Sequence, residues 1–141
     1  MQVIENEDTS EGTYTRERAP RRAIERIALS DRTAGTRVRE IVRHRLDEGS
    51  QRVVIVHEAR ELSRELVEHA FESLRYSGIV CAPGGDGDIA LIGMTETHDA
   101  LLGAIPWGTT NTLNELLSAA RSRHVPVMLL PPAGGERNGS S

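Results

Sequence analysis

The chain has 141 residues, 38% hydrophobic and 27% charged, which is enough for one compact domain and too short for two ordinary ones. That balance excludes collagen-like and wholly disordered chains, and no apolar run approaches the roughly 20 residues of a membrane-spanning helix. The net charge of −4 is carried by Glu5, Glu7, Asp8 and Glu11; the remainder is balanced between acids and arginines and lacks the basic surplus of a nucleic-acid binder.

Residues 1–22 read as a flexible charged arm, polar, without periodicity and interrupted by Pro20. Five arginines from Arg16 to Arg26, with Glu17 and Glu25 among them, read as a solvated linker or as an anion- or partner-binding patch. A single α/β domain is expected over 23–132. Val38, Ile41, Val42 and Leu46 are spaced as one face of a helix that Gly49 stops. Val53 to Val56 is a short β-branched run, the mark of a buried strand. Ser63 is placed to cap a helix whose apolar face is Leu66, Val67, Ala70, Phe71 and Leu74. Ile79 to Ala82 and Ile89 to Ile92 are the second and third strands. Thr112 and Glu115 have capping-box spacing before a helix bearing Leu113, Leu116, Leu117 and Ala120. Val125 to Leu130 is the last strand, and the Gly- and Ser-rich residues 133–141 read as a disordered tail. Strands alternating with helices predict a three-layer α/β sandwich, which takes ligands outside the carboxyl ends of its strands.

Several chemistries are excluded by what is missing. With no lysine there is no Schiff base and no P-loop lysine, and with one cysteine there is no internal disulfide. Cys81 falls in a predicted buried strand and reads as an inert thiol. The five histidines have no metal-ligand spacing, and four aromatic residues are too few for a base-stacking platform. The acidic start has no apolar core and does not read as a secretory signal, so a cytoplasmic protein is expected.

Three loops concentrate the remaining polar chemistry. Pro83-Gly84-Gly85-Asp86-Gly87-Asp88 follows the second strand and sets two carboxylates two residues apart. It reads as a plain turn or as a site where Mg²⁺ or Mn²⁺ shares its oxygens with a diphosphate. His57 and Glu58 follow the first strand, as a polar loop or as a metal ligand or general base. Trp107 precedes Gly108 and Thr109; the indole either walls a pocket or caps the core. Thr109, Thr110 and Asn111 stand at a helix N-terminus suited to an anion.

In this order the segments Arg52 to Val56, Ala82 to Gly87, Ile105 to Thr109 and Val127 to Pro132 resemble the C-terminal half of a small bacterial glycosyltransferase-like family. Its members have the GT-A, nucleotide-diphospho-sugar transferase fold, and some belong to arsenosugar biosynthesis. The resemblance covers roughly residues 30–132 and implies a partial three-layer α/β/α sandwich with a mainly parallel sheet. It places Asp86 and Glu58 as catalytic carboxylates, Asp86, Asp88 and Glu58 around a divalent cation, and Trp107, Thr109, Gly85 and Gly87 against a nucleotide-sugar.

The departures from that family are specific. A G-S-D-C-P-like loop of the family stands here as Val56-His57-Glu58-Ala59-Arg60, so Glu58 takes the aspartate's place. Asp88 and Ile89 replace a glycine and an aromatic residue. Nothing in residues 1–29 resembles the basic, Gly-containing loop with which the family holds nucleotide phosphates. The resemblance therefore implies a divergent glycosyltransferase-like protein with little or no turnover by itself, or a non-catalytic binding or assembly module. In either case a homo-oligomer or a partner chain is expected to cover the open sheet edge.

Overall fold

The computed structural model describes residues 21–132. The expected tail and all of the expected arm except Arg21 and Arg22 lie outside the described residues. In chain order the elements are β1 (Arg22–Ile27), α1 (Ala34–Asp47), β2 (Arg52–His57), α2 (Arg64–Ser73), β3 (Ile79–Pro83), β4 (Ile89–Met94), α3 (Asp99–Gly103), α4 (Thr112–Ser122) and β5 (Val127–Leu129). The five strands form one sheet in the order β1-β2-β4-β3-β5. β1 pairs parallel to β2 and β3 parallel to β5, while β4 runs antiparallel to both of its neighbours. Four strands thus point one way and β4 the other, an α/β sheet mainly parallel in direction.

The sheet is sandwiched because its central strands are apolar on both faces. Val53 and Ile55 of β2 enter one core cluster with Val38 and Val42 of α1, Leu102 of α3 and Leu116 of α4. Val54 and Val56 enter the other with Ala70 and Phe71 of α2. All six residues of β4 are buried, as befits a strand covered on both sides. Three layers follow directly, α1, α3 and α4 on one face and α2 on the other.

Local signals place the helix ends. Ser63 caps α2 by accepting a hydrogen bond from the Leu66 amide at 3.0 Å. After α1, the Gly49 amide donates to the Leu46 carbonyl and the Ser50 amide to that of Arg45, the paired bonds of a Schellman stop. The capping box expected at Thr112 does not form. Asn111 is the N-cap of α4 without a side-chain bond, and Thr112 is a buried first-turn residue whose Oγ1 lies 2.9 Å from the Pro106 carbonyl. The loop ahead of α4 outcompetes Glu115 for that hydroxyl.

β1 is the element that the hydrophobic pattern does not announce. Its alternation is written partly in charge: Ala23 is buried, Glu25 and Ile27 are half-buried, and Arg22, Ile24 and Arg26 are exposed. Glu25 accepts a hydrogen bond from Arg45 Nε of α1 at 2.7 Å. Arg22 stacks on the Phe71 ring at 4.0 Å and pairs with Glu68 of α2. Part of the arginine run read as linker therefore clamps the first strand to helices on both faces.

Candidate functional site

β2 and β3 run in the same direction, so their carboxyl ends meet at one rim of the sheet. β4 lies between them and starts from that rim, and the loop before α4 closes over it. A cleft of about 450 Å³ opens there, lined by His57, Arg60, Asp86 and Asp88, by Ser30 and by the Gly108 to Thr110 segment. The Asp-rich loop is the turn of the β3–β4 hairpin. The Gly84 amide donates to the Asp88 carbonyl at 3.1 Å, and the Gly87 carbonyl accepts from the Leu113 amide of α4 at 3.0 Å. The segment is thus a turn and a cleft wall at once.

The charges in the cleft are organised around Arg60. One of its terminal nitrogens lies 3.1 and 3.0 Å from the two oxygens of Asp88, whose side chain is only 13% exposed. Asp86 is 3.8 Å from the same nitrogen and is 85% exposed. Nε of Arg60 is buried without a partner, in the direction where a side chain on Gly84 would sit.

His57 is buried at the floor of the cleft, with 4% of its surface exposed. Its Nδ1 accepts from the Ala59 amide at 3.3 Å and, at longer range, from the Leu29 amide at 3.5 Å. Those contacts need a lone pair on Nδ1 and so place the ring proton on Nε2. Burial lowers the His57 pKa below its ordinary 6.5, and Arg60 adds to the effect while Asp88 and Glu58 oppose it. A proton refused by the native ring is accepted by the unfolded chain. Stability from this group is therefore whole above pH 6.5 and declines as the pH falls through that value. Urea titrations at pH 7 and pH 5 are expected to show a smaller acid loss in His57→Asn, which keeps an acceptor, than in the unaltered protein. An equal loss in both would mean that the imidazole titrates freely.

The other predicted site residues divide sharply. Asp86, Asp88 and Thr109 line the cleft. Glu58 is exposed and absent from its lining; its backbone instead joins β1, the amide donating to Ile27 and the carbonyl accepting from Arg26. Trp107 is 5% exposed and its indole N–H donates to the Leu102 carbonyl at 3.0 Å, so it belongs to the core beneath the cleft and not to its wall. Gly85 and Gly87 shape the hairpin turn and are likewise absent from the lining. The anion site expected at the start of α4 is largely occupied from within. The amides of Thr109, Asn111, Thr112 and Leu113 all donate to acceptors of the protein itself. Arg60, the residue that organises the cleft, is the one sequence reasoning passed over; its signal was a charge standing in a strand-tip loop where the resembled family has proline.

The divalent cation implied by the resemblance finds a poor donor set. Both oxygens of Asp88 face a guanidinium, Glu58 lies outside the cleft lining, and Asp86 is 3.8 Å from that same guanidinium. No group of three His, Cys, Asp or Glu among the described residues could hold a metal ion. A resident cation does not fit these residues. Cys81 is fully buried in β3, and burial pushes its thiol up to about 12, consistent with an inert side chain. A second, more apolar cavity of about 610 Å³ lies between the start of α2 and the end of the described chain, lined by Leu62, Leu66, His69, Pro131 and Pro132 among others. Its Ser63 hydroxyl is already engaged as the α2 cap. No helix among the described residues is long and apolar enough to cross a membrane.

A crystal structure from Desulfovibrio desulfuricans G20, described as a "putative nucleotide-diphospho-sugar transferase", is similar with a TM-score of 0.64 and 25% identity, over 70% of this chain and 44% of that one. The chain thus spans less than half the length of that structure. No curated protein matches. The family described as "Uncharacterized protein conserved in bacteria (DUF2064)" matches residues 4–109, including the front segment for which the sequence pattern showed no resemblance. With most of its length matched, the chain belongs to the DUF2064 family of proteins conserved in bacteria.

Proposed function

We propose that this glycosyltransferase-like protein holds a nucleotide-sugar-type ligand in the strand-tip cleft and acts as a binding module more than as a catalyst. The observation that carries the reading is the convergence of Arg60, Asp86, Asp88 and His57 at the carboxyl ends of β2 and β3. α/β sheets take their ligands at such ends, and the structural neighbour shares this fold. Glycosyl transfer asks for more than holding. It needs a base for the acceptor hydroxyl and a cation or fixed donors for the departing diphosphate. Here Asp88 is bound to Arg60 and the amides of Thr109 and Asn111 are committed, which supports divergence from catalysis. The arsenosugar-type assignment rests on the sequence resemblance alone.

A thermal-shift series with millimolar UDP- and GDP-sugars, with and without Mn²⁺, tests this reading. A ligand that binds only the native state at a hundred times its Kd stabilises by about 2.7 kcal/mol. The expected result is a clear rise in Tm with at least one nucleotide-sugar. A flat response across the panel contradicts the reading. Association is a second element of it, supported by apolar exposure on both outer strands of the described sheet: Ile24 on β1, Met128 and Leu129 on β5. Light scattering on the same samples is expected to show a dimer or larger species, and a monomer at high concentration opposes it.

A further inference from the structure

Arg60 and Asp88 stand where the resembled family has a proline and a glycine, and the fold brings these two departures into contact, 3.0 Å apart. Among the cleft's side chains one guanidinium meets two carboxylates, Asp86 and Asp88, so the site carries no excess of positive charge. The amides that begin α4 donate inward. A diphosphate therefore meets a cleft without an excess of positive charge, and its Coulomb energy is unfavourable. A sugar ring is neutral and pays no such penalty. Its vicinal hydroxyls donate to a carboxylate and accept from a guanidinium at the same time, which is the pairing that Asp88 and Arg60 present side by side. His57 supplies the independent observation. It is 96% buried, lines the cleft, and directs its acceptor Nδ1 to the backbone, which leaves Nε2–H as a fixed donor with no partner among the described residues.

We infer that the cleft reads the neutral, polyhydroxylated ring of its ligand through Asp88, Arg60 and His57, without a divalent cation. This rests on the nucleotide-sugar reading and narrows it from the whole molecule to the sugar. Calorimetric titration of the full chain with a UDP-hexose and with UDP, each in EDTA and in Mg²⁺, tests it. The UDP-hexose is expected to bind equally well in both buffers, and UDP at least about tenfold more weakly, a gap of about 1.4 kcal/mol. Asp88→Asn and Arg60→Gln are each expected to weaken the UDP-hexose about tenfold, with Arg60→Lys between Gln and the unaltered protein. The comparison of ligands in the unaltered chain decides the matter even where a variant fails to fold. UDP binding as tightly as the UDP-hexose, and only with Mg²⁺, overturns the inference and leaves the nucleotide-sugar reading intact. Binding of neither probe overturns both.

Discussion

Trp107→Ala is expected to cost about 3–5 kcal/mol of stability, the range for removing a buried large aromatic side chain. The indole is 5% exposed and packs in the cluster formed by α1, α3, α4 and one sheet face. Its N–H is the donor to the Leu102 carbonyl, which truncation leaves without that partner. The site has little freedom to collapse. Gly35 is a glycine where a Cβ would fall 2.5 Å from the indole nitrogen, so α1 is already pressed against the ring. Because Gly108, Thr109 and Thr110 follow directly and wall the cleft, the variant is expected to lose ligand binding together with stability. Urea unfolding of Trp107→Ala and Trp107→Phe separates the terms, since Phe keeps most of the volume but loses the hydrogen bond. A loss below about 1 kcal/mol in the alanine variant would place the indole outside the core.

The second large effect is expected at Gly87. Its φ of +82° lies in the left-handed region, and a Cβ there would fall well inside contact distance of the Thr110 carbonyl. Gly85 provides the control. Its φ is +107°, yet a Cβ meets nothing within 4 Å. Gly85→Ala therefore carries only the conformational cost, about 1–2 kcal/mol. Gly87→Ala adds a backbone clash of about 1–3 kcal/mol, and it forces the hairpin away from α4, breaking the bond from the Leu113 amide to the Gly87 carbonyl. Chemical denaturation of the two variants side by side is expected to show the larger loss at Gly87. Equal losses would mean that the hairpin does not rest on α4.

These two positions also show what the sequence does and does not disclose. The buried strands, the Ser63 cap and the stop at Gly49 are local features, so periodicity and capping chemistry reveal them. Trp107 is ambiguous in sequence because proline and glycine neighbours suit a core cap and a pocket wall equally; only the packing of Gly35 against the ring decides. β1 is hidden because its inward Glu25 becomes acceptable only through Arg45, twenty residues away. The antiparallel course of β4 was within reach, since the loop from Gly84 to Asp88 is too short for a parallel crossover. Asp86 and Asp88 were legible as cleft residues from their place after a strand. Their partner was not, because the Asp88–Arg60 pair joins two loops 28 residues apart. Glu58 misled for a related reason. Correspondence with the family's aspartate fixes its position in the chain but not its place in the cleft.

Amide chemical-shift mapping of a UDP-hexose on the ¹⁵N-labelled chain tests the central claim most directly. Shifts confined to His57 through Arg60, Gly84 through Asp88 and Gly108 through Thr110, three stretches that meet only at the strand-tip cleft, are the predicted result. Shifts centred on Leu62, Leu66 and His69, beside the second cavity, would contradict it.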